Sequence, residues 1–588
     1  MMCASHNTRA YAMAGLILTA FGLLGAKLCL LQAVWHVDLS NQADGMHERT
    51  VKREASRGNI LDAKGNILAQ SIPVRTVCAD PIAMKKIQST EIPFIAQQLS
   101  NLMDLDYQWV RSRLDTDRHY VVIKRKVSEE VIAQIKALKI PGLVFEPDSL
   151  RSYPNGSLAS HVLGYVGFDL KGVTGVELRQ ERYLHGQGGW REIEKDNKGR
   201  EVLVFRNQDV EPRDGYDVHL TIDSVIQHIV ENELDRAMDK FGPKAAIAIV
   251  LRPSTGEVLA LANRPTFDPN RYNKATPDQL RNRAISLVAE PGSTFKVVSV
   301  SAALNEGAVS LDDMIDCENG HFWYAGRILH DAHPHGSISV RDVIKVSSNI
   351  GAAKIGLKMG EVPLYKYIGA FGFGQKSGIE LPGEEYGLAH PLQQWSKLSI
   401  TRIPMGHEIA VTPLQMIDAM SCIANHGVLM KPQIVKQVAD ERGNSVAVFP
   451  PKPVRRVLSE KGSTLIIEAL KTVVREGGTA PKAALEGFAV AGKTGTAYKI
   501  EGGVYVNKYF SSFTGFFPAD RPEVCILVSL DEPRGAHYGG DTAGPIFREI
   551  ATQIARYLDI VPTEPGPKPT EGVSVASLDA NTKKVLED

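Results

Sequence analysis

The stretch that most constrains the fold is an uncharged apolar run near the N terminus. Residues 11–26 read YAMAGLILTAFGLLGA, and after Lys27 the run resumes as LCLLQAVW. As a helix, about 20 such residues cross the hydrocarbon core of a bilayer. The run exceeds the roughly 7–15 apolar residues of a signal peptide, and no convincing cleavage site follows it. We therefore predict a membrane anchor over residues 11–35, with a cleaved signal peptide as the alternative.

The predicted anchor sets the organisation of the remaining chain. Residues 1–10 contain Arg9 and no acidic residue, which predicts a cytoplasmic tail and export of the bulk of the chain. A front domain over 36–225 and a larger back domain over 226–560 are expected. The Pro-rich polar stretch 561–588 is predicted to be a flexible tail.

Both domains contain hairpin patterns. In the front domain, two apolar pieces flank DAKGN within residues 57–71, and the alternating strand DGYDVHLTI (214–222) leads into a capped amphipathic helix. In the back domain, apolar strand pairs at 245–263 and 513–533 surround turn residues. The last helix, 545–559, repeats apolar residues on one face, namely Ile546, Ile550, Ile554 and Leu558. These patterns predict an α+β fold with an antiparallel sheet flanked by helices.

Composition excludes some classes of function. Lysine plus arginine equals aspartate plus glutamate, at 67 each, so no net charge attracts nucleic acid and no such partner is expected. The six cysteines are scattered without a C-x-x-C pair, which argues against a zinc ribbon or a redox pair. Residues 317–336 contain one cysteine and four histidines, His321, His330, His333 and His335. Their spacing fits no zinc pattern, so we predict a solvated loop and no metal site.

The stretch EPGSTFK, residues 290–296, allows two interpretations. Ser293 follows a Pro-Gly turn and could simply cap a helix, because serine is a preferred N-cap residue. Alternatively, Lys296 lies one helical turn further on, where it could deprotonate the serine if burial lowers its pKa. Taken alone, the S-x-x-K pattern does not decide between a cap and a nucleophile.

Two further motifs favour the nucleophile. Ser347 and Asn349 form a Ser-x-Asn, and Lys493, Thr494, Gly495 and Thr496 form a Lys-Thr-Gly-Thr run that the preceding alternation places on a strand. A competing Lys-Ser-Gly at residues 376–378 lies in a glycine-rich stretch with no strand before it. The order S-x-x-K, S-x-N and K-T-G is the signature of penicillin-recognising serine enzymes.

With these motifs, the chain closely resembles the class B penicillin-binding proteins, and within them the division-type transpeptidases. The resemblance covers nearly everything from the anchor to about residue 558. A departure is His407-Glu408, where the family usually has small or aromatic residues. The matching stretches include RGNILDAKGNILA, YPNGSLASHVLGYVG, GVTGVELRQERYLHG, LRPSTGEVLALANRPTFDPN, GGTAPKAALEGFAVAGKTGTA and VNKYFSSFTGFFPADRPEV.

The resemblance implies an elongated pedestal (dimerisation) domain over 36–225 and a β-lactamase-like transpeptidase domain over 226–560. It also implies that Ser293 is the nucleophile and Lys296 its base, with Ser347 and Asn349 relaying protons and holding the substrate. The run from Lys493 to Thr496 would bind the donor's terminal carboxylate, and the backbone N–H groups of Ser293 and Thr496 would form the oxyanion hole.

The implied activity is cross-linking of peptidoglycan stem peptides during septal wall synthesis, without a cofactor and with inhibition by β-lactams. An SEDS-type glycan polymerase and division proteins of the membrane are the implied partners. The implied location is a bacterial cytoplasmic membrane, with the catalytic domain outside it. An elongation-type transpeptidase, a D,D-carboxypeptidase or β-lactamase, and a non-catalytic β-lactam sensor remain as alternatives.

Overall fold

The computed structural model describes residues 4–39, 48–195, 201–204 and 209–564. Contacts divide the chain into two compact units, residues 1–56 with 185–215 and residues 57–184 with 216–588. This division does not follow the domain boundaries expected from the sequence, which stay a prediction. The predicted flexible tail lies, beyond Glu564, outside the described residues.

The helices of eight or more residues are α1 (Ala4–Cys29), α2 (Pro81–Gln88), α3 (Ile92–Met103), α4 (Tyr107–Leu114), α5 (Glu129–Ala137), α6 (Ser224–Phe241), α7 (Lys296–Asn305), α8 (Asn349–Met359), α9 (Glu361–Ala370), α10 (Pro413–Ala424), α11 (Glu460–Lys471) and α12 (Ala543–Tyr557). The strands are β1 (Glu48–Arg53), β2 (Ile60–Leu61), β3 (Ile67–Ala79), β4 (Val121–Val127), β5 (Leu143–Ser152), β6 (Gly189–Lys195), β7 (Glu201–Val204), β8 (Asp217–Leu220), β9 (Ala245–Leu251), β10 (Val258–Arg264), β11 (Met314–Asp316), β12 (His321–Tyr324), β13 (Arg327–His330), β14 (Ser337–Ser339), β15 (Leu388–Ala389), β16 (Ile409–Ala410), β17 (Val428–Met430), β18 (Val435–Ala439), β19 (Ser445–Val448), β20 (Pro453–Arg456), β21 (Ala491–Glu501), β22 (Val504–Phe517) and β23 (Val524–Asp531).

The first unit contains the N-terminal helix. Helix α1 continues through a π turn at Leu30–Val34, which gives a helical span of 28 residues from Asn7 to Val34, with a mean hydropathy of 2.0 over an 18-residue window. Within the described part of the chain, this is the one helix long and apolar enough to cross a membrane. The predicted helix over 11–35 is therefore confirmed as a candidate span. The same unit has a three-stranded antiparallel sheet in the order β1-β6-β7.

The second unit begins with the predicted hairpin of β2 and β3, which pair antiparallel. Asp62 closes its turn, since Oδ1 accepts hydrogen bonds from the backbone N–H groups of Lys64 and Asn66, each at 2.8 Å. Strand β8 lies beside β2 and, on its other edge, beside β18 of the distant back region. The front strands therefore share a seven-stranded sheet with residues 435–448, which the sequence did not predict.

A buried ionic cluster lies next to these strands. The Glu177 carboxylate accepts hydrogen bonds from Nε of Arg57 and Nε of Arg151, each at 2.7 Å. The side chains of all three residues are at most 2% exposed. The two arginines also donate to backbone carbonyls, including Glu177 O and Gly58 O. This cluster ties the first hairpin to the short helix Gly175–Arg179.

A five-stranded antiparallel sheet forms the centre of the back region, in the order β10-β9-β23-β22-β21. Both predicted hairpins are present, because β9 pairs with β10 and β22 pairs with β23. Helix α12 packs Ile546, Ile550 and Ile554 into the core, while Leu558 follows the helix and is only partly buried. The α+β fold with an antiparallel sheet and flanking helices is confirmed. The sheet leaves β21 as an edge strand.

Candidate active site

Ser293 lies in a tight turn, not at a helix cap. It belongs to the 3-10 turn Gly292–Phe295, and α7 begins only at Lys296. Gly292 has a φ of +53°, a left-handed conformation that glycine adopts without strain. The capping role is therefore wrong, since the glycine turns the chain before the helix and no side-chain cap bond forms. Instead, Oγ of Ser293 lies 3.0 Å from Nζ of Lys296.

Lys296 is the centre of the site. Its Nζ lies 2.6 Å from the backbone oxygen of Ser347, 3.1 Å from Ser347 Oγ and 2.8 Å from Oδ1 of Asn349. The residue is fully buried, and burial lowers the pKa of Lys296 to about 7, although the charge of Asp331 opposes this shift. Near neutral pH, a substantial fraction of Lys296 is unprotonated and can accept the proton of Ser293.

The Ser347 hydroxyl bridges two lysines. Nζ of Lys493 donates to Ser347 Oγ at 2.9 Å, and Nζ of Lys296 lies 3.1 Å from the same oxygen. Ser347 has a φ of +62°, a conformation that costs a non-glycine residue roughly 1–3 kcal/mol and is often found at functional sites. Burial, followed by the nearby positive charge of Lys296, holds the pKa of Lys493 well below its usual range.

The Lys-Thr-Gly-Thr run lies on edge strand β21, which begins at Ala491, so the strand carries the motif itself. A Cβ on Gly495 would lie 2.4 Å from Ser512 Oγ, so glycine is required for the strand to pack there. Oγ1 of Thr494 lies 2.9 Å from Oγ1 of Thr479. Oγ1 of Thr496 accepts a hydrogen bond from Gly539 N at 3.2 Å.

The predicted residues converge on one cavity of about 530 Å³. Its lining includes Ser293, Ser347, Asn349, Thr494 and Thr496, and the two buried lysines lie behind these side chains. Pockets of about 300–1,000 Å³ hold small ligands or the end of a peptide. The geometry supports a serine nucleophile with a lysine base beside a strand edge on which an extended peptide can align.

The competing Lys-Ser-Gly has a structural role. The Ser377 hydroxyl and backbone N–H both donate to Oε1 of Glu384, each at 2.6 Å. The Lys376 amine lies 4.8 Å from the ring centroid of Tyr386. These contacts stabilise the loop, and no residue of this triplet lines the cavity.

The histidine-rich stretch differs in part from the predicted loop. His321 and His330 lie on paired strands β12 and β13, with their rings edge to face at 5.0 Å. The alternating residues of HFWYAGRILH on either side of Ala-Gly form a hairpin pattern, which the spacing of the histidines does not indicate. His333 and His335 lie in the following loop and reach the cavity wall.

Asp331, which the sequence analysis did not select, positions the Ser-x-Asn motif. One carboxylate oxygen accepts hydrogen bonds from the backbone N–H groups of Asn349 and of Ile350, the latter at 3.0 Å. The other accepts from Ser348 Oγ at 2.6 Å. An anionic side chain at the start of α8 also complements the positive end of the helix. The sequence gives no signal that a loop aspartate will accept hydrogen bonds from the start of a helix 18 residues later.

Comparison with known proteins shows the family to which the chain belongs. The sequence profile of the penicillin binding protein transpeptidase domain matches residues 246–552, and that of the penicillin-binding protein dimerisation domain matches residues 52–220. The chain belongs to the class B penicillin-binding proteins. The family resemblance drawn from the motifs is therefore confirmed.

Relatives of this penicillin-binding protein match it over most of their length. Stage V sporulation protein D of Bacillus subtilis is 35% identical over 92% of this chain and 84% of its own. Peptidoglycan D,D-transpeptidase FtsI of Escherichia coli is 30% identical over 93% of this chain and 91% of its own. Among solved structures, the chain is similar to penicillin binding protein 3 from Mycobacterium tuberculosis complexed with aztreonam. The two sequences are 29% identical, and the structures match with a TM-score of 0.69 over 88% of this chain and 99% of that one.

Replacing Asp331 with asparagine in this penicillin-binding protein is expected to slow acylation by a fluorescent penicillin about 10- to 100-fold. This range corresponds to the loss of one or two charge-assisted hydrogen bonds at the start of α8. The acid limb of the pH–rate profile should also move to lower pH, because the charge that raises the pKa of Lys296 is removed. Stopped-flow acylation between pH 5 and 9 measures both effects.

Asp312→Asn is the control, because this exposed aspartate pairs only with Arg341 among the described residues, at 3.4 Å. It should leave the rate and the profile unchanged. If Asp331→Asn lowers the rate without moving the acid limb, the charge of Asp331 does not act on Lys296.

Proposed function

We propose that this chain is a peptidoglycan D,D-transpeptidase that forms an acyl-enzyme on Ser293. The observation that carries the proposal is the continuous line of atoms from Ser293 Oγ through Lys296 Nζ and Ser347 Oγ to Lys493 Nζ. Its three contacts measure 3.0, 3.1 and 2.9 Å. The line passes along the wall of a cavity large enough for the end of a stem peptide.

In the first half-reaction, unprotonated Lys296 takes the proton of Ser293 as Oγ attacks the carbonyl carbon of the penultimate D-Ala. The proton then passes to the nitrogen of the terminal D-Ala, directly or through Ser347, and the C–N bond breaks. The backbone N–H groups of Ser293 and Thr496 stabilise the oxyanion, and each such donor is typically worth about 10²–10³ in rate. The acyl-enzyme is an ester of Ser293.

The donor peptide is held by the edge strand. Its terminal carboxylate binds beside Lys493, Thr494 and Thr496, where the hydroxyls and the lysine ammonium supply charge-assisted hydrogen bonds. A bound carboxylate favours the protonated form of Lys493, which burial alone disfavours. Asn349 holds the amide of the donor peptide. A β-lactam, as a mimic of the donor, acylates the same serine.

Incubation of the full chain in detergent with a stem-peptide donor and an amine acceptor tests the activity. Release of D-Ala with formation of the cross-linked product supports the proposal, and Ser293→Ala should abolish both. Hydrolysis of the donor without cross-linked product would favour a D,D-carboxypeptidase. Acylation by penicillin without turnover of the donor would favour a β-lactam sensor.

We also propose that the enzyme acts in septal wall synthesis, anchored by the span from Asn7 to Val34 with its catalytic domain outside the cytoplasmic membrane. The names of relatives such as FtsI support this role. An SEDS-type polymerase and division proteins would then be its partners in the membrane. The similarity to stage V sporulation protein D supports an alternative role, in which the enzyme synthesises a specialised wall during sporulation.

The cellular role predicts a phenotype. Depletion of the protein from its host should give filaments without septa, and a fluorescent fusion should collect at midcell. Swollen, rounded cells with a lateral fusion signal would instead indicate the elongation role. Normal division with a defect only in spores would indicate the sporulation role.

A further inference from the structure

The residue three positions before the nucleophile is bound to a histidine of the cavity wall. Oε2 of Glu290 lies 2.8 Å from Nδ1 of His407, and the two side chains are 9% and 25% exposed. His407 lines the cavity that contains Ser293. Of these two residues, His407 belongs to the His407-Glu408 departure from the usual pattern of the family.

The backbone holds His407 close to the nucleophile turn. The N–H of Gly292 donates to the carbonyl of Gly406 at 3.2 Å, which places the neighbours of Ser293 and of His407 in direct contact. Gly406 has a φ of +88°, and a Cβ there would lie 2.0 Å from the Gly292 carbonyl oxygen. The close approach of the two segments therefore requires glycine at 406.

Several further contacts fix the Glu290 carboxylate. The Tyr505 hydroxyl, from the β21–β22 hairpin, donates to Glu290 Oε2 at 3.0 Å and lies 3.2 Å from Nδ1 of His407. The backbone N–H of Glu408 donates to Oε1 of Glu290 at 2.9 Å. Ser399 Oγ donates to the Glu408 carboxylate at 2.5 Å, which keeps that second acid bound to another partner.

This arrangement fixes the tautomer of the imidazole. A carboxylate only accepts hydrogen bonds, so Nδ1 of His407 carries the proton that binds Glu290. In the neutral ring, Nε2 then has a free lone pair, and the described residues supply no hydrogen-bond partner for it. A histidine oriented by a carboxylate, with its other nitrogen open to a cavity, is the usual arrangement of a general base.

We propose that His407 is the general base for the acceptor amine in the second half-reaction, positioned by Glu290 and Tyr505. The inference rests on the proposed transpeptidase function and names a residue for the step that distinguishes cross-linking from hydrolysis. Nζ of Lys296 is fully buried among Ser293, Ser347 and Asn349, whereas His407 lines the open cavity that also contains Ser293.

In the second half-reaction, the acceptor amine displaces Ser293 from the acyl group. The amine nitrogen forms a bond to the acyl carbon as one N–H proton passes to Nε2 of His407. Lys296, which the first half-reaction leaves neutral, takes up one proton from water before this step. The C–Oγ bond of the ester breaks, and Oγ of Ser293 takes that proton from Lys296 Nζ, which lies 3.0 Å away in the free site. The imidazolium of His407 then gives its proton to water, so both His407 and Lys296 are again neutral.

The test separates the two half-reactions in the full chain. Acylation is followed with a fluorescent penicillin, and aminolysis is followed with a thioester donor and a D-amino acid acceptor. His407→Gln retains an amide donor toward Glu290 but has no basic nitrogen. We expect acylation within about threefold of wild type and aminolysis at least about 10²-fold slower, the lower end of the range for general-base catalysis.

His321→Gln is the control for loss of an imidazole, because this exposed histidine lies outside the cavity. It should change neither rate. A second variant, His407→Ala, should regain part of the aminolysis rate when imidazole is added to the solution, which a merely structural role would not produce.

Two results would overturn the proposal and leave Glu290–His407 as a structural pair. In the first, His407→Gln loses acylation and aminolysis equally. In the second, imidazole does not restore aminolysis in His407→Ala. Unchanged aminolysis in His407→Gln would overturn it as well. If wild type itself is acylated but forms no aminolysis product, the transpeptidase function fails instead, and the two failures are distinguishable.

Discussion

Replacing Lys296 with arginine is expected to slow acylation of Ser293 by a penicillin at least about 10³-fold, because arginine cannot be deprotonated in a protein and so cannot act as a base. Arginine stays protonated at every working pH, so this variant removes the base and fixes the side chain in its charged form. The larger guanidinium must also fit where Lys296 is fully buried between Ser293, Ser347 and Asn349. Stopped-flow fluorescence with a labelled penicillin measures the rate constant.

The matched control is Lys358→Arg, an exposed lysine on α8, which should acylate at the wild-type rate. The thermal midpoints of both variants show whether the fold is retained. A Lys296→Arg protein that is folded and acylates within tenfold of wild type would exclude Lys296 as the base.

The pH dependence of wild-type acylation follows from the same lysine. Only the unprotonated amine accepts the serine proton, so the rate should rise with pH and level off above the pKa of Lys296, which burial lowers to about 7. An unburied lysine would place this limb near pH 10. An acid limb near pH 10 would show that Lys296 is charged in the working enzyme, which contradicts the proposed role.

The features that the sequence predicted are those with a local pattern. The hairpins at 245–263 and 513–533 combine alternating or continuous apolar strands with turn residues, and the structure has both. The three motifs were found because each combines residue types whose chemistry is complementary, and their order fits one family. The structure brings Ser293, Ser347 and Lys493 into one line of contacts.

Features that depend on contacts between distant segments were not predictable. The left-handed conformation of Ser347 has no signal in its residue type, since serine rarely adopts it. Asp331 and Glu290 act through partners 18 and 117 residues away, and each resembles any polar loop residue in the sequence. Strand β18 joins the front sheet by pairing with β8. The periodicity of apolar residues predicts that a segment is a strand but does not predict which distant strand it pairs with.

Replacing Glu177 with alanine is expected to lower the free energy of unfolding by about 3–5 kcal/mol, the usual cost of breaking a buried ion pair by removal of one partner. Glu177 is the carboxylate shared by Arg57 and Arg151 at 2.7 Å, and no more than 2% of any of the three side chains is exposed. Without it, Arg57 keeps its ion pair with Glu181, at 2.7 Å, and Arg151 loses the carboxylate that it binds. Urea denaturation followed by far-UV circular dichroism measures the loss.

The control is Glu129→Ala, which removes a surface pair with Arg75 at the similar distance of 2.8 Å, with side chains 44% and 34% exposed. That variant should lose less than about 1 kcal/mol, because exposed pairs are screened by water. Equal effects of the two substitutions would show that burial does not strengthen the Glu177 contacts.

Apolar replacement of all three charged residues should not restore stability, in contrast to buried ionic clusters whose members bind only one another. Arg57 also donates to the backbone oxygen of Glu177 at 2.8 Å, and Arg151 to that of Gly58 at 2.7 Å. Aliphatic side chains would leave these carbonyls buried without donors, at a cost of roughly 1–3 kcal/mol each. Arg57 and Arg151 therefore stabilise the fold through the backbone carbonyls that they bind, and Glu177 through the ion pairs that it makes with both guanidinium groups.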